Sequence, residues 1–282
     1  MKKTVIVILL VSAFAALAAV SNLLDVSARS RTQSPPGSGN WAETAAPLQI
    51  DPARTAVIIC DMWDQHWCPT ATARVAEMAP AIDRFVRAAR QKGMLIVHAP
   101  SDTMNVYRDY PGRKLALETP VALDLPDFMN KGNPRLSGEP ALPIDDSDGG
   151  CEVSVPWRRK GTRAWSRQID AIEIFPQDLI SDSGAEMWNV FAARGIDTVM
   201  IVGVHTNMCV VGRSFGLRNW ARAGKRALLV RDLTDAMYNP ARSPRVDHLA
   251  GTVLVVEHIE KYICPTVESS AVTGEAAFAF RR

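Results

Sequence analysis

The chain has 282 residues, 47% of them hydrophobic, with 17 glycines and 18 prolines. This is an ordinary globular composition, long enough for one full core and short for two. Lys and Arg total 32 against 30 Asp and Glu, a formal charge of +2 with no long run of either sign. Nothing in that balance points to nucleic acid or to a polybasic membrane surface.

Lys2 and Lys3 precede an apolar run from Val5 to Val20, with small residues at Ala16, Ala18 and Ala28 as cleavage positions. A basic start, an apolar stretch and a small-residue site are the parts of a secretory signal peptide. The alternative is an uncleaved anchor, for which the run falls slightly short of the about 20 apolar residues a span needs. Residues 1–28 are therefore set apart from the fold, and the chain is expected to be exported, periplasmic or extracellular. Ser-Pro-Pro-Gly-Ser-Gly at 34–39 makes 29–49 read as a linker.

One domain follows, over 50–265, with a tail at 266–282. Thr55–Cys60 is a continuously apolar, β-branched run ending in charge at Asp61, the pattern of a parallel strand buried on both faces. Residues 72–91 place Val75, Met78, Ala79, Ile82, Phe85, Val86 and Ala89 at helical spacing. Met94–Val97 is a second strand, ending at His98, and 171–174 a weaker one. A helix over 184–194 closes at Gly195. Thr198–Val202 is a strong strand, a helix spans about 209–223, and strands follow at 227–230 and 252–256. Strands alternating with amphipathic helices predict an α/β, Rossmann-like three-layer sandwich around a mostly parallel sheet of about six strands. Ligands bind such sheets beyond the carboxyl ends of the strands. That singles out Asp61, His98, Phe175, the Gly203–Cys209 loop and Asp232.

Residues 99–170 break this rhythm with many prolines and no clear helix or strand. They read as a lid-like insertion over the strand ends. Its acidic run, Asp145-Asp146-Ser147-Asp148-Gly149-Gly150, lacks the spacing and terminal Glu of a calcium loop and reads as a solvated turn.

The most informative segment is Val199-Met-Ile-Val-Gly-Val-His-Thr-Asn-Met-Cys209-Val-Val-Gly. A buried strand runs into a glycine-containing loop and a cysteine stands where the next helix begins. Unpaired backbone N–H groups and the helix dipole favour a thiolate there, and the same N–H groups can hold an oxyanion. A buried structural cysteine fits that position equally well. Asp61, at the neighbouring strand end, is either a general base for the thiol or a loop-capping carboxylate.

The strand Ala56-Val-Ile-Ile-Cys-Asp61, followed by Arg194-Gly-Ile-Asp-Thr-Val-Met-Ile-Val-Gly-Val-His-Thr-Asn-Met-Cys209-Val, resembles the isochorismatase-like cysteine hydrolases over roughly residues 50–260. That superfamily includes nicotinamidases, N-carbamoyl amidohydrolases and isochorismatases. The resemblance implies hydrolysis of a small amide, ureido or related C–N bond, with Cys209 as nucleophile and Asp61 as general base; the alternatives on the same fold are a catalytically weak or inactive small-molecule binding protein and a vinyl-ether-cleaving enzyme. It also implies a cis peptide at Val204–His205, with the N–H groups of His205 and Cys209 as the oxyanion hole. The family's triad adds a lysine at the end of the third strand, which falls here near Phe175 or Pro176; Lys160 is the nearest upstream lysine and the candidate for that role.

Trp63, His66, His98 and Arg213 are candidate substrate contacts, Arg213 because it stands one turn beyond Cys209. Asp64, His66, His98 and Asp102 are the candidate ligands should a divalent metal be bound, as it is in nicotinamidase-like members. No nucleotide-binding glycine motif is present, so no organic cofactor is expected. The expected partner is a small-molecule substrate, with no nucleic acid and no membrane beyond the N-terminal segment; the resemblance adds a homo-oligomer. Five cysteines in an exported chain leave at least one unpaired, and the pairing of Cys60, Cys68, Cys151 and Cys264 stays open.

Overall fold

The computed structural model describes residues 23–132, 135–156 and 159–281. The apolar run of the expected signal or anchor, with its positions Ala16 and Ala18, lies outside the described residues. The third cleavage position, Ala28, stands within a strand. Strands β1 (Leu24–Gln33) and β2 (Trp41–Ile50) pair antiparallel, Leu24 opposite Ile50 and Gln33 opposite Trp41. The stretch read as a linker is thus a β-hairpin, and its Ser-Pro-Pro-Gly-Ser-Gly sequence is the tip. The pattern was obscured because β2 is mostly exposed and β1 buries only Val26 and Ala28.

Strand β3 (Thr55–Cys60) leads to helix α1 (Pro69–Gln91), β4 (Leu95–Ala99) and α2 (Pro111–Glu118). Then come β5 (Leu179–Ile180), α3 (Gly184–Arg194), β6 (Thr198–Val204), α4 (Leu217–Arg222) and β7 (Arg226–Asp235). Helix α5 (His248–Tyr262), β8 (Thr266–Val267) and α6 (Ser270–Thr273) complete the order. The sheet has eight strands in the order β2-β1-β8-β7-β6-β3-β4-β5. From β8 to β5 every neighbouring pair is parallel, so the expected six-stranded parallel sheet is present, extended at one edge by the hairpin.

Every residue of β3, β4 and β6 is buried, as a strand covered on both faces requires. Alternation divides β3 between two cores. Ala56, Ile58 and Cys60 face Met187, Phe191, Trp220 and Ile259 of α3, α4 and α5. Val57 and Ile59 face Val75, Met78, Ile82 and Phe85 of α1. Each such Ile or Val contributes about 1.5–3 kcal/mol of burial, and the period of two is what commits the chain to three layers.

Four sequence expectations are corrected. The run 252–256 lies inside α5: Asp247 caps that helix by accepting the Ala250 N–H at 3.0 Å, and Val255, Val256 and Ile259 form its inner face. The third strand is at 179–180, not 171–174. The stretch 209–223 begins as a π-type turn over Thr206–Val210 and becomes a regular helix only at Leu217. The tail 266–282 carries β8 and α6, and its Phe278 and Phe280 pack on the α1-side core, so it belongs to the domain.

The insertion contains α2 and is tied down at several points. A disulfide joins Cys68, at the start of α1, to Cys151, leaving Cys60, Cys209 and Cys264 free. Buried Glu139 accepts from Arg218 of α4 at 2.6 Å and pairs with His258 of α5 at 3.1 Å. The acidic run serves as turns and tethers: Asp146 accepts from Asn207 at 2.7 Å and Asp148 from Asn239 at 2.8 Å.

Candidate active site

The site begins where β3 meets β6. Cys60 and Gly203 are register partners, and Gly203 has φ +104° with no room for a side chain: a Cβ there would fall 2.1 Å from the Cys60 carbonyl oxygen. Glycine is required for this approach. It lets β6 turn away directly beside Asp61. Asp61 is fully buried and holds φ 48°, a left-handed conformation that costs an ordinary residue on the order of 1–3 kcal/mol. Its Oδ1 accepts the Ser101 N–H at 2.8 Å, from the turn after β4. Its Oδ2 is buried without a full hydrogen bond.

Beyond β6 the chain passes through a cis peptide at Val204–His205, as the resemblance implied, into the π-type turn. The Met208 and Val210 N–H groups both return to the His205 carbonyl, at 2.9 and 3.2 Å. Asn207 anchors the turn by donating to Met237 O and accepting from Met237 N, at 3.1 and 2.8 Å. Cys209 is half-buried on this turn and its thiol bears on the Asp61 carboxylate. Burial first, and the Asp61 charge second, raise the thiol above its ordinary range, while Arg213 opposes both. Burial also raises Asp61, again against Arg213, Cys209 and Ser101. The resting pair is therefore a neutral thiol beside a carboxylate of enhanced basicity.

The cation beside this pair is Arg213. Its N–H donates to Cys209 O at 3.0 Å, which sets it one turn on from the cysteine. Its Nε lies 3.6 Å from Asp61 Oδ2, and its Nη2 lies 3.5 Å from Asp102 Oδ2. Lys160, the sequence candidate, is corrected: it is exposed on the insertion, its stem against Gly149 and Trp67. Phe175 and Pro176 precede β5, whose end is followed by Ser181 and Asp182, so no lysine stands there.

Aromatic rings form a wall beside this group. Trp63 donates its indole N–H to Ser101 O at 3.1 Å and stacks on Trp165 of the insertion at 4.2 Å between centroids. His66 lies 5.8 Å from Trp165 and 5.1 Å from the His205 ring. It also faces a cavity of about 510 Å³ shared with Trp67, Thr72, Arg159 and Thr162. Burial drives both imidazoles down, His66 to about 4 and His205 to about 3, so both stay neutral at ordinary pH. Of the four residues expected to contact substrate, Trp63 and His66 lie in this wall. Trp165 was not singled out, because no local pattern shows that a loop tryptophan 102 residues downstream stacks on Trp63.

His98 is corrected. It is fully buried, with one ring nitrogen on Gln168 at 2.9 Å and the other on Asp178 at 3.1 Å, and neither is left for a substrate. The four metal candidates do not assemble either. Asp64 accepts from Ser166 and Arg167, His66 Nδ1 accepts the Cys68 N–H, and Asp102 faces Arg213. Among the described residues no group of three or more His, Cys, Asp or Glu side chains is placed to hold a metal ion. Asp232, singled out at a strand end, organises loops by accepting the Ser269 and Phe278 N–H groups.

Fold and site together define an α/β protein with a Cys–Asp–Arg group at the carboxyl edge of a parallel sheet. No protein-family model and no curated protein matches the chain. Among solved structures it is similar to an isochorismatase-family protein from Burkholderia thailandensis, with 13% identity, covering 80% of this chain and 96% of that one at a TM-score of 0.44. An isochorismatase from Pseudomonas putida gives 13% identity, 78% and 91% coverage and a TM-score of 0.44. N-carbamoylsarcosine amidase from Thermoplasma acidophilum gives 16%, 64% and 83%, and 0.37. Similarity at this level carries no functional argument. The residues have to carry it.

Proposed function

We propose that this protein is a cysteine hydrolase of the isochorismatase-like type, cleaving a small amide, ureido or related C–N bond through a covalent intermediate on Cys209. The observation that carries this reading is Asp61: buried, strained, and with one carboxylate oxygen free of any full hydrogen bond beside a half-buried thiol. A structural carboxylate would have both oxygens satisfied.

In this reaction Asp61 takes the thiol proton as Sγ bonds to the substrate carbonyl carbon, and the C–O π electrons move onto oxygen. The N–H groups of His205 and Cys209 are the proposed oxyanion donors. Collapse of the adduct breaks the C–N bond, and protonated Asp61 delivers its proton to the departing nitrogen. A water then attacks the thioester, Asp61 takes its proton, the C–S bond breaks, and the proton returns to sulfur. The sum is substrate plus water to acid plus amine, with no cofactor consumed. The aromatic wall suits a small, uncharged planar substrate, since both histidines beside it are neutral. Export is part of the proposal, supported by the Cys68–Cys151 disulfide, a bond that persists in oxidising compartments.

The test is a panel of small amides and ureides assayed with wild type and Cys209→Ala, alongside mapping of iodoacetamide adducts by mass spectrometry. Cys209→Ala should abolish turnover, and Cys209 should be alkylated before buried Cys60 and Cys264. Full activity in the alanine variant, with Cys209 no more reactive than the other two, would falsify the reading.

A further inference from the structure

A thiol and a carboxylate buried side by side repel as soon as both carry charge, and only a cation held between them relieves this. The resemblance places that cation at the end of the third strand. There the structure has Ser181, whose N–H donates to His98 O and whose hydroxyl goes to Glu186. The guanidinium that does face Asp61 comes from the nucleophile's own segment. Arg213 Nε and Asp61 Oδ2 are both buried, both without a complete hydrogen bond, and 3.6 Å apart.

Asp102 meets the same guanidinium 3.5 Å from Nη2. Its own placement is strained, with φ 65°, and is kept by donation of its N–H to Asp182 Oδ2 at 3.0 Å. A strained non-glycine residue persists only where its surroundings hold it, and such residues gather at functional sites. Here two of them, Asp61 and Asp102, both bear on one arginine.

We propose that Arg213 is the catalytic cation of this site, supplied one turn beyond the nucleophile, and that Asp102 is the positioning residue that seats it. The proposal rests on the reading of Cys209 as nucleophile. Because a guanidinium keeps its proton throughout the accessible pH range, Arg213 acts as a fixed charge. Asp61 is then the proton carrier at every step. Arg213 stabilises the thiolate as it forms; a substrate anchor, the role its position in the sequence suggested, would leave the free enzyme's thiol unchanged.

The pH dependence of Cys209 alkylation by iodoacetamide, a small neutral reagent needing no anchor, separates these roles. Folded variants are compared by adduct mapping, with circular dichroism as the check on folding. Arg213→Gln should slow Cys209 alkylation at pH 7 by about tenfold and move its pH midpoint up by about one unit. Arg213→Lys, keeping the charge without the planar fork, should retain most of the rate. Asp102→Asn should slow alkylation, because the guanidinium loses its seat, and Asp102→Glu should restore it. A purely electrostatic Asp102 gives the opposite sign, since removing a negative charge favours the thiolate. Wild-type rate and midpoint in Arg213→Gln would overturn the assignment of the cation, as would a loss in Arg213→Lys as deep as in Arg213→Gln. Faster alkylation in Asp102→Asn would overturn the positioning role. A different result defeats the underlying reading: an unreactive Cys209 in wild type together with full turnover by Cys209→Ala.

Discussion

Two aspartates at the carboxyl edge of the same sheet show how a site differs from a brace. Asp235, at the end of β7, is buried and saturated. It accepts from Arg74 at 2.7 Å, His248 at 2.9 Å and Thr252 at 3.2 Å, and Arg74 continues to Glu152 beside the disulfide. Asp61, at the end of β3, is equally buried, yet one oxygen is unpartnered and its nearest cation stands 3.6 Å away. Burial opposes ionisation of both. At Asp235 the bonds to His248 and Arg74 win and the carboxyl lies below its ordinary range, whereas at Asp61 burial wins and it lies above. Satisfied partners keep a buried carboxylate ionised; where they are fewer, burial raises its affinity for a proton.

Exchanging each carboxylate for an amide should break this comparison most sharply. Asp61→Asn should lower turnover about 10³-fold, the scale of a lost general base, while leaving the urea midpoint close to wild type. Asp235→Asn should do the reverse, costing about 3 kcal/mol in urea unfolding because Arg74 and His248 lose a buried partner. The acid response separates them further. Asp235, lowered in the folded state, contributes stability that is complete above the unfolded value of about 3.9 and is lost as pH falls through its folded value. Asp61, raised in the folded state, takes up its proton before the unfolded chain does, so acid does not remove stability through it. Asp235→Asn should therefore flatten the stability profile below about pH 4, and Asp61→Asn should not.

A smaller effect comes from the tie between α1 and the insertion. Replacing Cys68 and Cys151 together by Ser should lower stability by about 2 kcal/mol, and reductant should then cease to shift the melting temperature. The smallest expectation is an absence of change. His66 and His205, held to about 4 and about 3, should show no ring-proton titration by NMR between pH 5 and 8. A midpoint near 6.5 for either would show that the wall is wetter than its burial implies.

The parallel layers were legible because local pattern and tertiary role agree there. β-branched runs bounded by charge or glycine lie at β3 and β6, and helical spacing over 72–91 gives α1. Where local pattern misled, a nearby group had decided the outcome. The valine-rich 252–256 reads as a strand until the cap at Asp247, directly before His248, is counted; the cap and the inner face of Val255 and Ile259 make it helix. The hairpin at 24–50 alternates only over Leu24, Val26 and Ala28 because it buries little beyond them, and its pairing is defined by the strand across from it.

Cys209 and Asp61 could be singled out from the chain alone, since each follows a recognisable strand and strand ends are where a parallel sheet collects its chemistry. Local sequence also fixed Gly203, the one residue type that lets those two ends touch. The identity of the cation was a different matter. Lysines and arginines carry no mark of which one will fold toward a carboxylate, and a family pattern pointed to a strand end that here holds Ser181. Only the tertiary structure, by bringing the turn after Cys209 against the turns after β3 and β4, chose Arg213 over Lys160 and gave Asp102 a part in holding it.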